Sequence, residues 1–127
     1  MKKIKEEELG KMTKQLHVII LRKNGENEGN LQFVERKVDV TKETEKMVKG
    51  VYQDGNETQI LKRKLDVISD VSHGEGLDRL FYKVMTMDEA KVAEYKAEII
   101  KQVKGRVEHT KKVIIETEFD LTQLEQQ

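Results

Sequence analysis

Apolar residues recur along this chain with two different periods. Leu16, Val18 and Ile20 alternate with Gln15, His17 and Ile19, the two-residue beat of a strand with one buried face. The stretch Asn24-Gly25-Glu26-Asn27-Glu28-Gly29-Asn30 follows, rich in residues that accept the positive φ of turns and loops. A second strand is predicted over 31–40, where a change of parity between Phe33 and Val38 points to a bulge around Glu35 and Arg36. Residues 41–49 read either as a short helix capped by Thr41 or as a polar loop leading into a strand at 47–53. Asp54-Gly55 favours the second, because Asp-Gly supplies the type I′ turn of a hairpin.

Residues 58–71 fit two patterns. As a strand they place Leu61, Leu65 and Val67 on one face; as a helix they gather Ile60, Leu61, Leu65, Ile68 and Val71 on one arc. The strand is preferred, since the Asp-Gly turn needs a partner on its far side. A loop at 72–76 and a strand at 80–87 follow. Helical spacing then becomes clear: Val92, Tyr95, Ile99, Ile100 and Val103 form one stripe, Asp88 and Glu89 suit its positive N-terminus, and Gly105 suits its end. Beyond it Val113, Ile115, Thr117, Phe119 and Leu121 alternate with Ile114, Glu116, Glu118 and Asp120, a strand pattern. A helix continuing through Gly105 is the competing reading, but it puts Arg106, Thr110 and Thr117 on the seam.

These elements predict an α+β protein: an antiparallel, meander-like sheet of five to six strands packed against one long helix (about 88–104), with a C-terminal strand at about 111–121. Residues 1–127 read as a single domain, with 1–14 a frayed arm and 122–127 a frayed tail.

Composition narrows the possible chemistry. Of the 127 residues 38% are charged, with 24 Lys+Arg against 24 Asp+Glu, so no global field draws the chain to nucleic acid or anionic membrane. The absence of cysteine removes disulfide frameworks, thiol catalysis and cysteine-based zinc sites. No apolar run approaches the roughly 7–15 residues of a signal-peptide core or the roughly 20 of a membrane helix, so a cytoplasmic protein without membrane association is expected. His17, His73 and His109 lie far apart in sequence without metal-site spacing, and neither metal nor cofactor is implied.

Two stretches carry candidate binding chemistry. In 72–79 an anion could rest on the amides of Gly74 and Gly76, with Ser72 and His73 as polar partners and Arg79 as countercharge. Adjacent Ser and His cannot by themselves form a nucleophile–base pair, and the Gly-Lys-Ser/Thr ending of a P-loop is missing. Arg63 shares the predicted strand face of Leu61, Leu65 and Val67, where a charge needs a partner, and it joins Arg36 as a candidate anion ligand. In 91–112, Lys101, Lys104, Arg106, Lys111 and Lys112 form a candidate strip for nucleic-acid phosphates. Only five arginines and six aromatic residues in the whole chain argue against base recognition.

The expected function is therefore non-catalytic binding, as a protein-interaction module or inhibitor that self-associates as a homodimer. Open strand edges and a lean core favour burial against a copy, and Ile19, Ile100 and Ile114 fall outside the assigned faces. Binding of a small anion or nucleotide through 72–79 is the first alternative, and nucleic-acid binding through 91–112 the second.

Overall fold

The computed structural model describes residues 14–23, 31–72 and 79–127. Strands β1 (Gln15–Arg22), β2 (Gln32–Glu43), β3 (Met47–Tyr52), β4 (Glu57–Leu61), β5 (Ser69–Asp70) and β6 (Phe81–Thr86) precede one helix, α1 (Val92–Glu125). The strands form one antiparallel sheet in the order β4-β3-β2-β1-β6-β5, with α1 packed on it, an α+β architecture as the periodicity predicts. The first four strands form a meander. The chain then crosses from one edge of the sheet to the other to place β5 beyond β6.

That crossing requires the sheet to curl. Six flat strands would set their edges about 24 Å apart. Residues 62–68 must bridge β4 to β5 while spending Lys62–Lys64 on a compact 3-10 turn. Curling brings the edges together and encloses one core cluster, in which Leu16, Val18, Val38 and Ile60 are buried beside Leu65, Met85 and Met87. The opposite face holds a second cluster, where Ile19, Leu21, Tyr82, Val84 and Leu80 meet Ile99, Val92, Tyr95 and Val103 of the helix segment. Consequently β1 is buried on both sides: the unbroken run from Leu16 to Leu21 belongs to a strand covered twice, not to one with a single inner face. Ile19 is fully buried beneath α1, and so is not the surface residue that alternation predicts.

Other expectations change in detail. The irregularity in β2 falls between Val40 and Lys42, opposite Gly50 and Lys49, not at Glu35 and Arg36. The Asp54-Gly55 hairpin joins β3 to β4, with Gly55 at φ 89°. The strand expected over 58–71 stops at Leu61, because the crossover must turn there. Arg63 therefore sits on an exposed turn and not on an inward strand face.

The largest correction concerns the C-terminus. No strand forms at 111–121; α1 runs for 34 residues through Gly105 and into the stretch read as a frayed tail. Asp88 opens this region, its Oδ1 accepting the Ala90 N–H at 3.0 Å ahead of the turn Glu89–Lys91. Gly105 does not end the helix, since an interior glycine costs only about 1 kcal/mol and the next residues contain no other breaker. Val113, Thr117 and Leu121 fit a two-residue beat and a four-residue helical step equally well. The threonines that argued against a helical seam are accommodated: Thr110 and Thr117 donate their hydroxyls to the carbonyls of Arg106 (2.8 Å) and Val113 (2.7 Å).

Two carboxylates fasten the crossover and β5 to the helix. Asp66 adopts φ 60°, its N–H donates to the Met85 carbonyl (2.7 Å), and its Oδ1 accepts the Tyr95 hydroxyl (2.8 Å). Burial pushes the Asp66 carboxyl up, but hydrogen bonds from Thr86 and Tyr95 and the charge of Lys91 outweigh it and hold the group below the usual value. Tyr95 is pushed up to about 12 by burial and by its bond to Asp66. Asp70 likewise lies below its usual value: hydrogen bonds from Ser72 and the Arg106 charge exceed the effect of burial. A depressed carboxylate stabilises the fold above its unfolded pKa of about 4 and loses that contribution as pH falls through the folded value. Thermal melts between pH 7 and pH 3 should therefore show a steepening loss below about pH 4, and the double variant Asp66→Asn/Asp70→Asn should flatten that slope.

Candidate functional site

The residues proposed for an anion site are not brought together. Arg63 follows β4 at the end of the sheet where β3 begins, whereas Ser72 and Arg79 lie at the opposite end, where β6 begins. Ser72 is committed locally: its N–H donates to Asp70 Oδ1 (3.0 Å) and its Oγ accepts the Phe81 N–H (3.0 Å). His73, Gly74 and Gly76 lie outside the described residues. Arg36 stands over the Tyr52 ring, 5.8 Å from its centroid. Beside Arg63, the Lys62 ammonium is bound to Glu43 (2.7 Å), which also takes Lys14 (3.0 Å). Hydrogen bonds from these two lysines lower the Glu43 pKa. Among the described residues, no buried side-chain nitrogen or oxygen lacks a partner, and no group of acidic and histidine side chains is placed to hold a metal ion.

The basic strip is broken as well. Arg106 faces the sheet and binds Asp70 Oδ2 through Nη1 at 2.8 Å, where it helps to dock α1. On a helix of 100° per residue, Lys101, Lys104, Lys111 and Lys112 share an arc with Glu108 at its centre. Glu108 lies 3.7 Å from Lys111. Lys96 pairs with Glu35 of β2 at 2.6 Å and covers the Phe33 ring. What remains is a helix flank of mixed sign, without an aromatic platform.

A different surface emerges from the length of α1. Its first half docks on the sheet through Val92, Tyr95, Ile99 and Val103, and Ile99 is its one fully buried residue. Every residue from 111 onward is exposed. Fifteen residues of helix, Lys111 to Glu125, thus extend about 22 Å past the domain at 1.5 Å per residue. This projection is not polar. Val113, Ile114, Leu121 and Leu124 are between 43% and 63% exposed, and with Val107 and Thr117 they prolong the stripe that faces the sheet lower down. Ile115 and Phe119 stand on the opposite side. A soluble helix end with no neighbour would ordinarily be polar on all sides, because uncovered apolar area of this kind costs roughly 25 cal/mol per Å².

The stripe runs into a groove. Where α1 leaves the sheet, Leu21, Leu31, Phe33, Ile100, Val103 and Val107 line an apolar depression of about 590 Å³, with Lys104 and Glu108 as its charged residues. Ile100 and Ile114, which the sequence left without a covered face, belong to this surface and are 43% and 50% exposed. The remaining members were missed because the alternation in 113–121 was read at the wrong period. Their signal was the spacing of three and four through Ile100, Val103, Val107, Thr110, Ile114, Thr117, Leu121 and Leu124. No helix among the described residues is long and apolar enough to cross a membrane. Comparison of the chain with protein-family models, with curated proteins and with solved structures returned no match.

Proposed function

We propose that this chain is a cytoplasmic, non-catalytic protein-interaction module whose binding element is the projecting half of α1, and that it self-associates. The observation that carries this reading is the apolar stripe of Ile114, Leu121 and Leu124, continuous with the half-buried Val107, on a helix end that none of the described residues covers. Such a face suits an amphipathic helix from another protein chain, which would be read by residues spaced three and four apart. The domain serves as the anchor. By docking residues 92–110 it removes the nucleation cost that would leave a free fifteen-residue helix marginal in water.

The test is a chain ending at Thr110. Since residues 111–127 are exposed, their removal should change folding stability by less than about 0.5 kcal/mol in urea denaturation at concentrations where the chain is monomeric. In extracts of the native host, proteins retained by the immobilised full chain should be absent from the shortened one. Identical retention by both would refute the assignment of binding to the helix.

A further inference from the structure

The charge pattern beside the stripe identifies the occupant, and we infer that it is a second copy of this chain, lying antiparallel in one register. This deepens the interaction reading above and rests on it.

In α1 the residues spaced three and four apart form a heptad seam: Ile100, Val107, Ile114 and Leu121 at one core position, Val103, Thr110, Thr117 and Leu124 at the other. The positions flanking the second set are Lys104, Lys111, Glu118 and Glu125, basic toward the domain and acidic toward the tip. In an antiparallel pair like flanks face each other. With Ile114 set opposite Thr117 of the copy, Lys104 meets Glu125 and Lys111 meets Glu118, so that four attractive pairs form by symmetry. A slip of one heptad in either direction sets Glu118 against Glu118 or Lys111 against Lys111. A parallel pair is opposed as well, since it brings Asp120 against Glu125 at both flanks. One arrangement alone satisfies the charges.

Two structural observations make that arrangement feasible. The seam threonines carry no orphan hydroxyl into the interface, because Thr110 and Thr117 already donate to backbone carbonyls one turn back. The chosen register also sets Leu124 of the second copy level with Val107, at the apolar groove beside Leu31 and Phe33. The partner's tip thus has a seat on the domain as well as on the helix.

The chain contains no cysteine, which allows an unambiguous cross-linking experiment on the full-length protein. Variants Ile114→Cys and Thr117→Cys are prepared separately, mixed, and oxidised at sub-millimolar concentration. The mixture should form disulfide-linked dimers at least about tenfold faster than either variant alone, since only the mixed pair lies within disulfide reach. In a second arm, Lys104→Glu/Lys111→Glu and Glu118→Lys/Glu125→Lys should each sediment as monomer where the unaltered chain is a dimer, and mixing them should restore a dimer. Self-linking of Ile114→Cys as fast as the mixture would replace the antiparallel arrangement with a parallel one. A monomeric unaltered chain would overturn self-pairing while leaving the helix as a surface for another protein. A dimer that survives deletion of 111–127 would overturn pairing through the helix and leave the retention experiment to decide whether the helix binds another protein.

Discussion

Replacing Ile99 with alanine should destabilise the protein by about 2–5 kcal/mol, the range for truncating a fully enclosed aliphatic side chain. Ile99 is the one fully buried residue of α1 and fills the space between Ile19, Leu21, Tyr82 and Val84. Its loss leaves a void that these strand residues cannot close, because their backbones are fixed by pairing to both neighbours. The same substitution at Ile114, four turns further along the same helix, should leave monomer stability nearly unchanged, since half of that residue is already in water. Urea denaturation of both variants at low concentration, where association is absent, measures the difference. Equal losses would mean that the outer half of α1 is docked as well as the inner half.

A second large effect is expected at Gly50. This residue faces Val40 beside the irregularity in β2, and a Cβ there would collide with the Val38 side chain and stand about 2.6 Å from the Asp39 carbonyl oxygen. Gly50→Val should cost about 3 kcal/mol through overpacking and displacement of β2, and Gly50→Ala somewhat less. Gly105 provides the opposite case. Nothing lies within 4 Å of a Cβ at that position, so Gly105→Ala should stabilise α1 by about 1 kcal/mol through helix propensity. One type of substitution thus carries two signs on one chain, and a pair of thermal melts suffices to check them.

The parts of the fold legible beforehand are those in which one residue type dictates one backbone path. Asp54-Gly55 specifies its hairpin, and Asp88 specifies the turn that opens the helical region. Local spacing could not supply information that resides in tertiary partners. Ile19 reads as outward until α1 is known to lie over it, and β4 reads as a longer strand until the crossover demands a turn after Leu61. The far half of α1 was obscured for a more specific reason. A stretch with Val113, Ile115, Thr117, Phe119 and Leu121 carries both periods at once, and the polar Arg106, Thr110 and Thr117 on the helical seam tipped the reading toward a strand. Of the candidate sites, Arg63 was misplaced by that same error in β4, and Arg106 proved to hold the helix to Asp70. Of the three isoleucines that the assigned faces left outside, Ile100 and Ile114 are indeed exposed, and Ile19 is buried.

Double coverage of β1 also has a consequence for biosynthesis. The segment from Leu16 to Leu21 leaves the ribosome well ahead of much of its cover: His17 pairs with Lys37 of β2 on one side, but its other strand partner is Thr86 and the lid is Ile99. At about 5–20 residues per second, the nascent polypeptide carries this bare, uncharged β-prone hexapeptide for several seconds before its shelter is translated. Slowed elongation between the codons for β2 and α1 should therefore raise the insoluble fraction more than slowing after Ile99.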